Sequence, residues 1–176
     1  TSQACAFSIA SGASVDLVLK KVVTLKSGSW RAGLAVPTGA AVTISADSRY
    51  GALNAAGGDS GAGIGGYYGN SSSYVGGSIT ILSGTVEATG GSGAAGIGGY
   101  GPGTGTDEQI HISGGKVTAT GGSGSGAAAV GGGGYSGGSS HGDGTGVNGQ
   151  IIIDGTAVVT AIGMQTEVGK IAGLLK

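Results

Sequence analysis

Short stretches in which apolar and polar residues alternate recur along this chain, and they predict short β-strands. Three kinds of stretch follow one another in a fixed order: Ala-Gly-Ile-Gly-Gly, then Ile-x-Ile, then Val-x-Ala followed by glycines. The first kind occupies residues 62–66 and 95–99 and, more loosely, 128–132, so that successive copies lie 33 residues apart. Three short strands in a repeat of roughly 30 residues predict one coil of a parallel β-helix.

Residues at matching positions of successive coils are expected to stack into three apolar ladders. In a strand, every second side chain faces the same side, so the apolar positions of each stretch face the interior. The expected core ladders are Leu34, Ile64, Ile97 and Val130; Ile44, Ile81, Ile112 and Ile153; and Leu53, Val86, Val117 and Val159.

The repeats organise residues 1–176 as one β-solenoid domain. Residues 1–50 supply less glycine-rich first coils, residues 51–163 carry the three-strand repeats, and residues 164–176 begin a terminal partial coil. We predict an all-β, single-stranded parallel β-helix with three short strands per coil and four to five coils. It should be right-handed, as most β-helices of this type are, with long Gly/Tyr-rich loops on one side.

The composition favours tight coils over disorder or helices. Glycine accounts for 44 of 176 residues, and charged residues make up 10 %. Disordered chains are rich in charge and poor in apolar residues, and each glycine inside a helix costs about 1 kcal/mol relative to alanine. The sequence contains no amphipathic helix to cap either end. Either neighbouring domains or other copies of the chain are therefore expected to cover the end strands.

Charge and cysteine content add few constraints. The net charge is −1, which gives no reason to expect a nucleic-acid partner, and no stretch approaches the roughly 18 apolar residues of a membrane span. Residues 1–50 carry a net charge of +3 and residues 51–150 a net charge of −4, an asymmetry that could favour end-to-end association. The single cysteine, Cys5, excludes an intrachain disulfide and is expected to be a small buried apolar residue.

Three segments strengthen the picture by resemblance: AFSIASGA at 6–13, LKSGSWRAGL at 25–34 and VPTGA at 36–40. Together with the repeats, they resemble glycine-rich β-helical segments of large secreted or cell-wall-anchored bacterial surface proteins. The resemblance implies an extracellular or cell-surface location, often beside adhesin or carbohydrate-binding modules. It brings no catalytic motif with it.

The residues themselves give little sign of catalysis or of a cofactor. His111 and His141 are isolated, and alternation places His111 on the outer face of its strand. Gly134-Tyr135-Ser136-Gly137-Gly138 matches Gly-x-Ser-x-Gly, but no predicted strand precedes it and no predicted helix follows. A lone carboxylate at Asp143 is too little for a calcium-binding repeat. We predict no catalytic residue, metal or cofactor, and keep a polysaccharide lyase remnant as a third hypothesis.

Aromatic residues are the better lead to function. Five tyrosines lie in the loops that follow the Ala-Gly-Ile-Gly-Gly stretches: Tyr67, Tyr68, Tyr74, Tyr100 and Tyr135. Such rings could fix their own loops, contact another subunit or pack against sugar rings. The leading hypothesis is a non-catalytic extracellular structural or adhesive solenoid that associates with itself, end to end or through tyrosine loops, into a surface assembly or filament. The alternative is a carbohydrate-binding module that uses the loop tyrosines on a polysaccharide.

Overall fold

The computed structural model describes residues 4–69, 76–101, 109–124, 126–134, 150–163, 171–172 and 174–175. All regular secondary structure within these ranges is β-strand, and the strands form three parallel sheets, which we name A, B and C. The predicted all-β solenoid with three strands per coil is confirmed.

Each coil, or rung, contributes one strand to each sheet in the order A, B, C. Sheet A contains β1 (Phe7–Ser8), β4 (Leu34–Ala35), β7 (Ile64–Gly65), β10 (Ile97–Gly98), β13 (Val130–Gly131) and β16 (Ile171–Ala172). Sheet B contains β2 (Ser14–Leu19), β5 (Ala41–Ala46), β8 (Ser78–Ile81), β11 (Gln109–Ile112), β14 (Gln150–Ile153) and β17 (Leu174–Leu175). Sheet C contains β3 (Val22–Lys26), β6 (Ala52–Ala56), β9 (Thr85–Thr89), β12 (Lys116–Thr120) and β15 (Val158–Ile162). In the described residues, rungs 1 to 5 each contribute all three strands, and β16 and β17 begin a sixth.

The core consists of apolar ladders that run the length of the solenoid. In sheet A, Leu34 pairs with Ile64, Ile64 with Ile97, and Ile97 with Val130, and all four are fully buried. The other two ladders have the register that the sequence predicted: Ile44, Ile81, Ile112 and Ile153 in sheet B, and Leu53, Val86, Val117 and Val159 in sheet C. Because each member stacks on the same position of the next rung, the parallel register is fixed by burial.

Glycine permits the close approach of successive turns. Gly58 and Gly91 occupy matching positions in the turns that lead from sheet C to sheet A. A Cβ on Gly91 would collide with the carbonyl oxygen of Gly58, and a Cβ on Gly58 with that of Gly28. Rungs lie about 4.8 Å apart, which leaves no room for a side chain directed along the stack at these positions.

Candidate functional site

Three aromatic rings from successive rungs form a row beside sheet A. Trp30 lies in the turn between β3 and β4, while Tyr68 follows β7 and Tyr100 follows β10. The ring centroids of Trp30 and Tyr68 are 6.1 Å apart, with the planes inclined by 51°. Tyr68 meets Tyr100 edge to face, with 5.8 Å between centroids. The row runs from the surface inward, because Trp30 and Tyr68 are 45 % and 46 % exposed and Tyr100 only 6 %.

The backbone of Trp30 adopts a conformation that its side chain disfavours. Its φ is +65°, and the equivalent residues of the next two rungs, Ser60 and Gly93, have φ of +61° and +69°. The three positions are equivalent because each backbone N–H donates to a carbonyl one rung further along the solenoid. A left-handed residue other than glycine costs about 1–2 kcal/mol. The turn itself therefore favours small residues such as Ser60 and Gly93, and it gives no reason for a tryptophan.

Arg31 connects the backbones of the two exposed aromatic residues. Its Nη1 donates to the carbonyl oxygens of Trp30 and Tyr68, at 3.0 and 3.1 Å. The guanidinium also lies over the ring of Tyr67, 5.1 Å from its centroid. On the other side of Tyr68, its backbone N–H donates to the carbonyl of Ser60 at 2.7 Å. These contacts fix the turn of Trp30 relative to the loop of Tyr68.

The structure places the predicted tyrosines in different surroundings. Tyr67 and Tyr100 occupy equivalent positions, and the ring of Tyr68 contacts that of Tyr100. Tyr74 and Tyr135 lie outside the described residues. Sequence reasoning missed Trp30 and Arg31, although one signal was present. When the repeats are aligned with one another, Trp30 stands at the position that Ser60 and Gly93 occupy in the next two repeats.

The first rung has a surface that resembles the core of the other rungs. Four of its inward-facing side chains are only partly buried, whereas their register partners in rung 2 are at most 2 % exposed. The partly buried residues are Val15, Leu17, Val23 and Leu25, and their partners are Val42, Ile44, Leu53 and Ala55. In the part of the chain that the structure describes, no strand pairs with the outer edges of β1, β2 and β3.

Sheet C carries exposed valines on its first and last strands. In sheet C, Val22 of rung 1 is 64 % exposed and Val158 of rung 5 is 60 % exposed. The same column contains Ala52, Thr85 and Lys116 on the rungs between them. Exposed large apolar side chains on this sheet are thus concentrated at its two ends.

Cys5 differs from the expectation of a buried apolar residue, because it is half-buried and its neighbours Ala4 and Ala6 are exposed. It precedes β1 in the first rung, where a neighbouring rung is described on one side only. Burial raises the pKa of the Cys5 thiol, and the backbone hydrogen bond with Ala32 and the charge of Arg31 oppose this shift in part.

The remaining candidate groups for chemistry are sparse in the described residues. His111 lies on the outer side of its strand, and its Nε2 is 3.0 Å from Oδ1 of Asp154 on the next rung. The described chain contains no group of three or more His, Cys, Asp or Glu side chains arranged to hold a metal. It also contains no helix of the length and apolarity needed to cross a membrane. His141 and Asp143 lie outside the described residues.

Comparison with known proteins gives no family for this chain, since no protein-family model, curated protein or solved structure matches it. The resemblance to bacterial surface proteins therefore stays a prediction. What the chain does has to be argued from two features of its own: the aromatic row and the exposed first rung.

Proposed function

We propose that this protein is a non-catalytic structural and adhesive β-solenoid of an extracellular bacterial surface, and that it assembles end to end with copies of itself. The observation that carries the proposal is the first rung, where core-type side chains remain partly exposed. The extracellular location and the adhesive role rest on the sequence resemblance.

Strand edges at the first rung support association through backbone hydrogen bonds. The first strands of the three sheets, β1, β2 and β3, each pair on one side with a strand of rung 2. An unpaired edge presents a row of N–H and C=O groups that another strand can pair with. Since the inward side chains behind these edges are apolar, pairing would also remove Val15, Leu17, Val23 and Leu25 from water.

A second copy is the partner that fits this surface best. Parallel pairing requires strands that run in the same direction and are spaced as the three sheets are, and the far end of the same molecule provides them. In the described residues, the last strands of sheets A and B are β16 and β17, so β1 and β2 of a second copy would continue these two sheets. A contact between different ends of identical molecules repeats and produces an open filament.

The proposal is tested by measuring particle mass and shape over a range of protein concentrations. Sedimentation velocity should show mass rising with concentration, and electron microscopy should show particles that grow along the solenoid axis. A V18K/V22K double variant places two charges on exposed positions of the edge strands, and charged edges oppose pairing. We expect this variant to associate at least tenfold more weakly.

Thr85→Lys is the matched control, because Thr85 occupies the same outward column as Val22 but on rung 3. It should associate as the unchanged protein does. A particle that stays monomeric at the highest concentrations reached, or a control that dissociates as readily as the double variant, would contradict end-to-end assembly.

A further inference from the structure

We propose that the exposed rings of Trp30 and Tyr68, here called the aromatic platform, bind the ring of a neutral carbohydrate. The site does not depend on assembly, and it combines Tyr68, one of the tyrosines that the sequence suggested, with a tryptophan that it did not. Trp30 and Tyr68 supply the binding surface, whereas Arg31 and Tyr100 hold it in place.

Exposure distinguishes the platform from an ordinary aromatic cluster. Two rings that contact each other keep 45 % and 46 % of their surface accessible, while Tyr100 behind them is buried. Full burial of a large apolar side chain stabilises a fold by about 1.5–3 kcal/mol. Trp30 realises only part of that gain and occupies a left-handed backbone position as well. Its placement therefore serves the fold poorly.

The platform is held rigidly before any ligand arrives. Arg31 donates to the carbonyls of both platform residues, Tyr68 donates its N–H to Ser60, and Tyr100 supports the edge of Tyr68. Binding to fixed rings avoids the free-energy cost of ordering flexible side chains. Two inclined and partly exposed aromatic rings are thus held in one geometry.

The surroundings of the platform favour a carbohydrate over a protein. A stable protein interface needs about 800 Å² on each side, with interlocking side chains. Around Trp30, the matching turns contain residues with little or no side chain, namely Gly28, Ser29, Gly58, Gly91 and Ser92. A sugar ring can pack its C–H face against an aromatic face and direct its hydroxyls to nearby carbonyls and serines.

Charge around the platform favours a neutral sugar. The guanidinium of Arg31 stacks on Tyr67 and hydrogen-bonds two carbonyls, and Asp59 of the neighbouring turn carries the opposite charge. One positive and one negative group at the rim give no net preference for an anionic polymer.

Trp30 is the only tryptophan in the sequence, so its fluorescence reports on the platform directly. The experiment titrates the full chain with cello-oligosaccharides and manno-oligosaccharides, with polygalacturonate as the charged comparison. We expect saturable binding of a neutral oligosaccharide with a blue shift of the emission, because the sugar displaces water from the indole. Pull-down on cellulose and mannan provides a second readout that does not need the tryptophan.

Trp30→Ser should fold, because Ser60 occupies the same turn position one rung on, and it should lose binding at least tenfold in the pull-down. Tyr68→Ser should lose it similarly. Tyr50→Ser is the matched control, since Tyr50 is 63 % exposed, stacks with Arg49 and lies in another turn. Its binding should be unchanged.

Three results would overturn the proposal. They are binding to none of the neutral sugars, binding only to polygalacturonate, or an emission shift that follows protein concentration instead of sugar concentration. The last result would assign the platform to a contact between copies. A protein that stays monomeric but binds sugar would reject end-to-end assembly and leave this site supported.

Discussion

At the scale of single residues, the turns before the strands of sheet A show how little space for side chains remains between successive rungs. Gly91 has an ordinary backbone conformation, yet a Cβ there would collide with the carbonyl of Gly58. Gly12 is the opposite case, because its φ is +81° and open space surrounds its missing side chain. The two glycines therefore separate the effect of close stacking from the effect of backbone conformation.

We expect Gly91→Ala to lower the free energy of unfolding by about 3 kcal/mol, the upper part of the range for overpacking. Gly12→Ala should lower it by about 1 kcal/mol, since only the left-handed conformation is penalised. Urea unfolding followed by circular dichroism measures both changes. Equal effects of the two substitutions would show that stacking at Gly91 is looser than the structure indicates.

Cys5 provides a second prediction at this scale. Burial raises the pKa of its thiol, so less thiolate is present at neutral pH than in an ordinary cysteine. Reaction with a disulfide reagent at pH 7 should be slower in the folded protein than in urea. The difference between these two reaction rates should become smaller as pH rises through the folded-state pKa of the Cys5 thiol.

The same shift links Cys5 to stability. The raised pKa favours the neutral thiol in the folded state, so its contribution to stability is complete below the unfolded pKa. That contribution is lost as pH rises through the folded pKa. Cys5→Ser should reduce the loss of stability between neutral and alkaline pH, measured as the free energy of unfolding. If this free energy depended on pH in the same way in both proteins, Cys5 would not be the source of the loss.

At the scale of elements, burial differs between central and end positions of one ladder. Ile81 lies on rung 3 and is fully buried between Ile44 and Ile112, whereas Leu17 on rung 1 is only partly buried. Ile81→Ala should cost about 2–5 kcal/mol in unfolding free energy. Leu17→Ala should cost less than half as much if rung 1 is exposed to solvent.

The effect of Leu17→Ala on the free energy of unfolding should be measured at more than one protein concentration. If copies cover rung 1, the effect of Leu17→Ala should grow with protein concentration, because association stabilises the folded state by mass action. Chemical unfolding at two protein concentrations a hundredfold apart measures this. The effect of Ile81→Ala should be the same at both.

The ladders could be predicted because two periods coincide in the sequence: alternation within each strand and the repeat between coils. Ile64 and Ile97 are 33 residues apart and become direct neighbours. The contact between Trp30 and Tyr68 could not be predicted in this way. It joins a turn of one rung to a loop of another. It also depends on a left-handed backbone conformation at Trp30, which a tryptophan in the sequence does not indicate.

At the scale of the whole molecule, contacts connect each rung mainly with its two neighbours, as in other solenoids. The stability of such a fold is approximately the sum of its rungs and their interfaces. The half-burial of Cys5 follows from this arrangement, because rung 1 has a described neighbour on one side only. The sequence pattern could place Cys5 beside β1, but it gave no information about whether another strand covers the outer side of rung 1.

The turn residues with a left-handed backbone form a regularly spaced column along the solenoid. Trp30, Ser60 and Gly93 occupy one site that repeats at each rung, about 4.8 Å from the next. Ser60 is only 7 % exposed, whereas Trp30 is 45 % exposed. The same backbone site is therefore buried on one rung and presents a large ring to solvent on another.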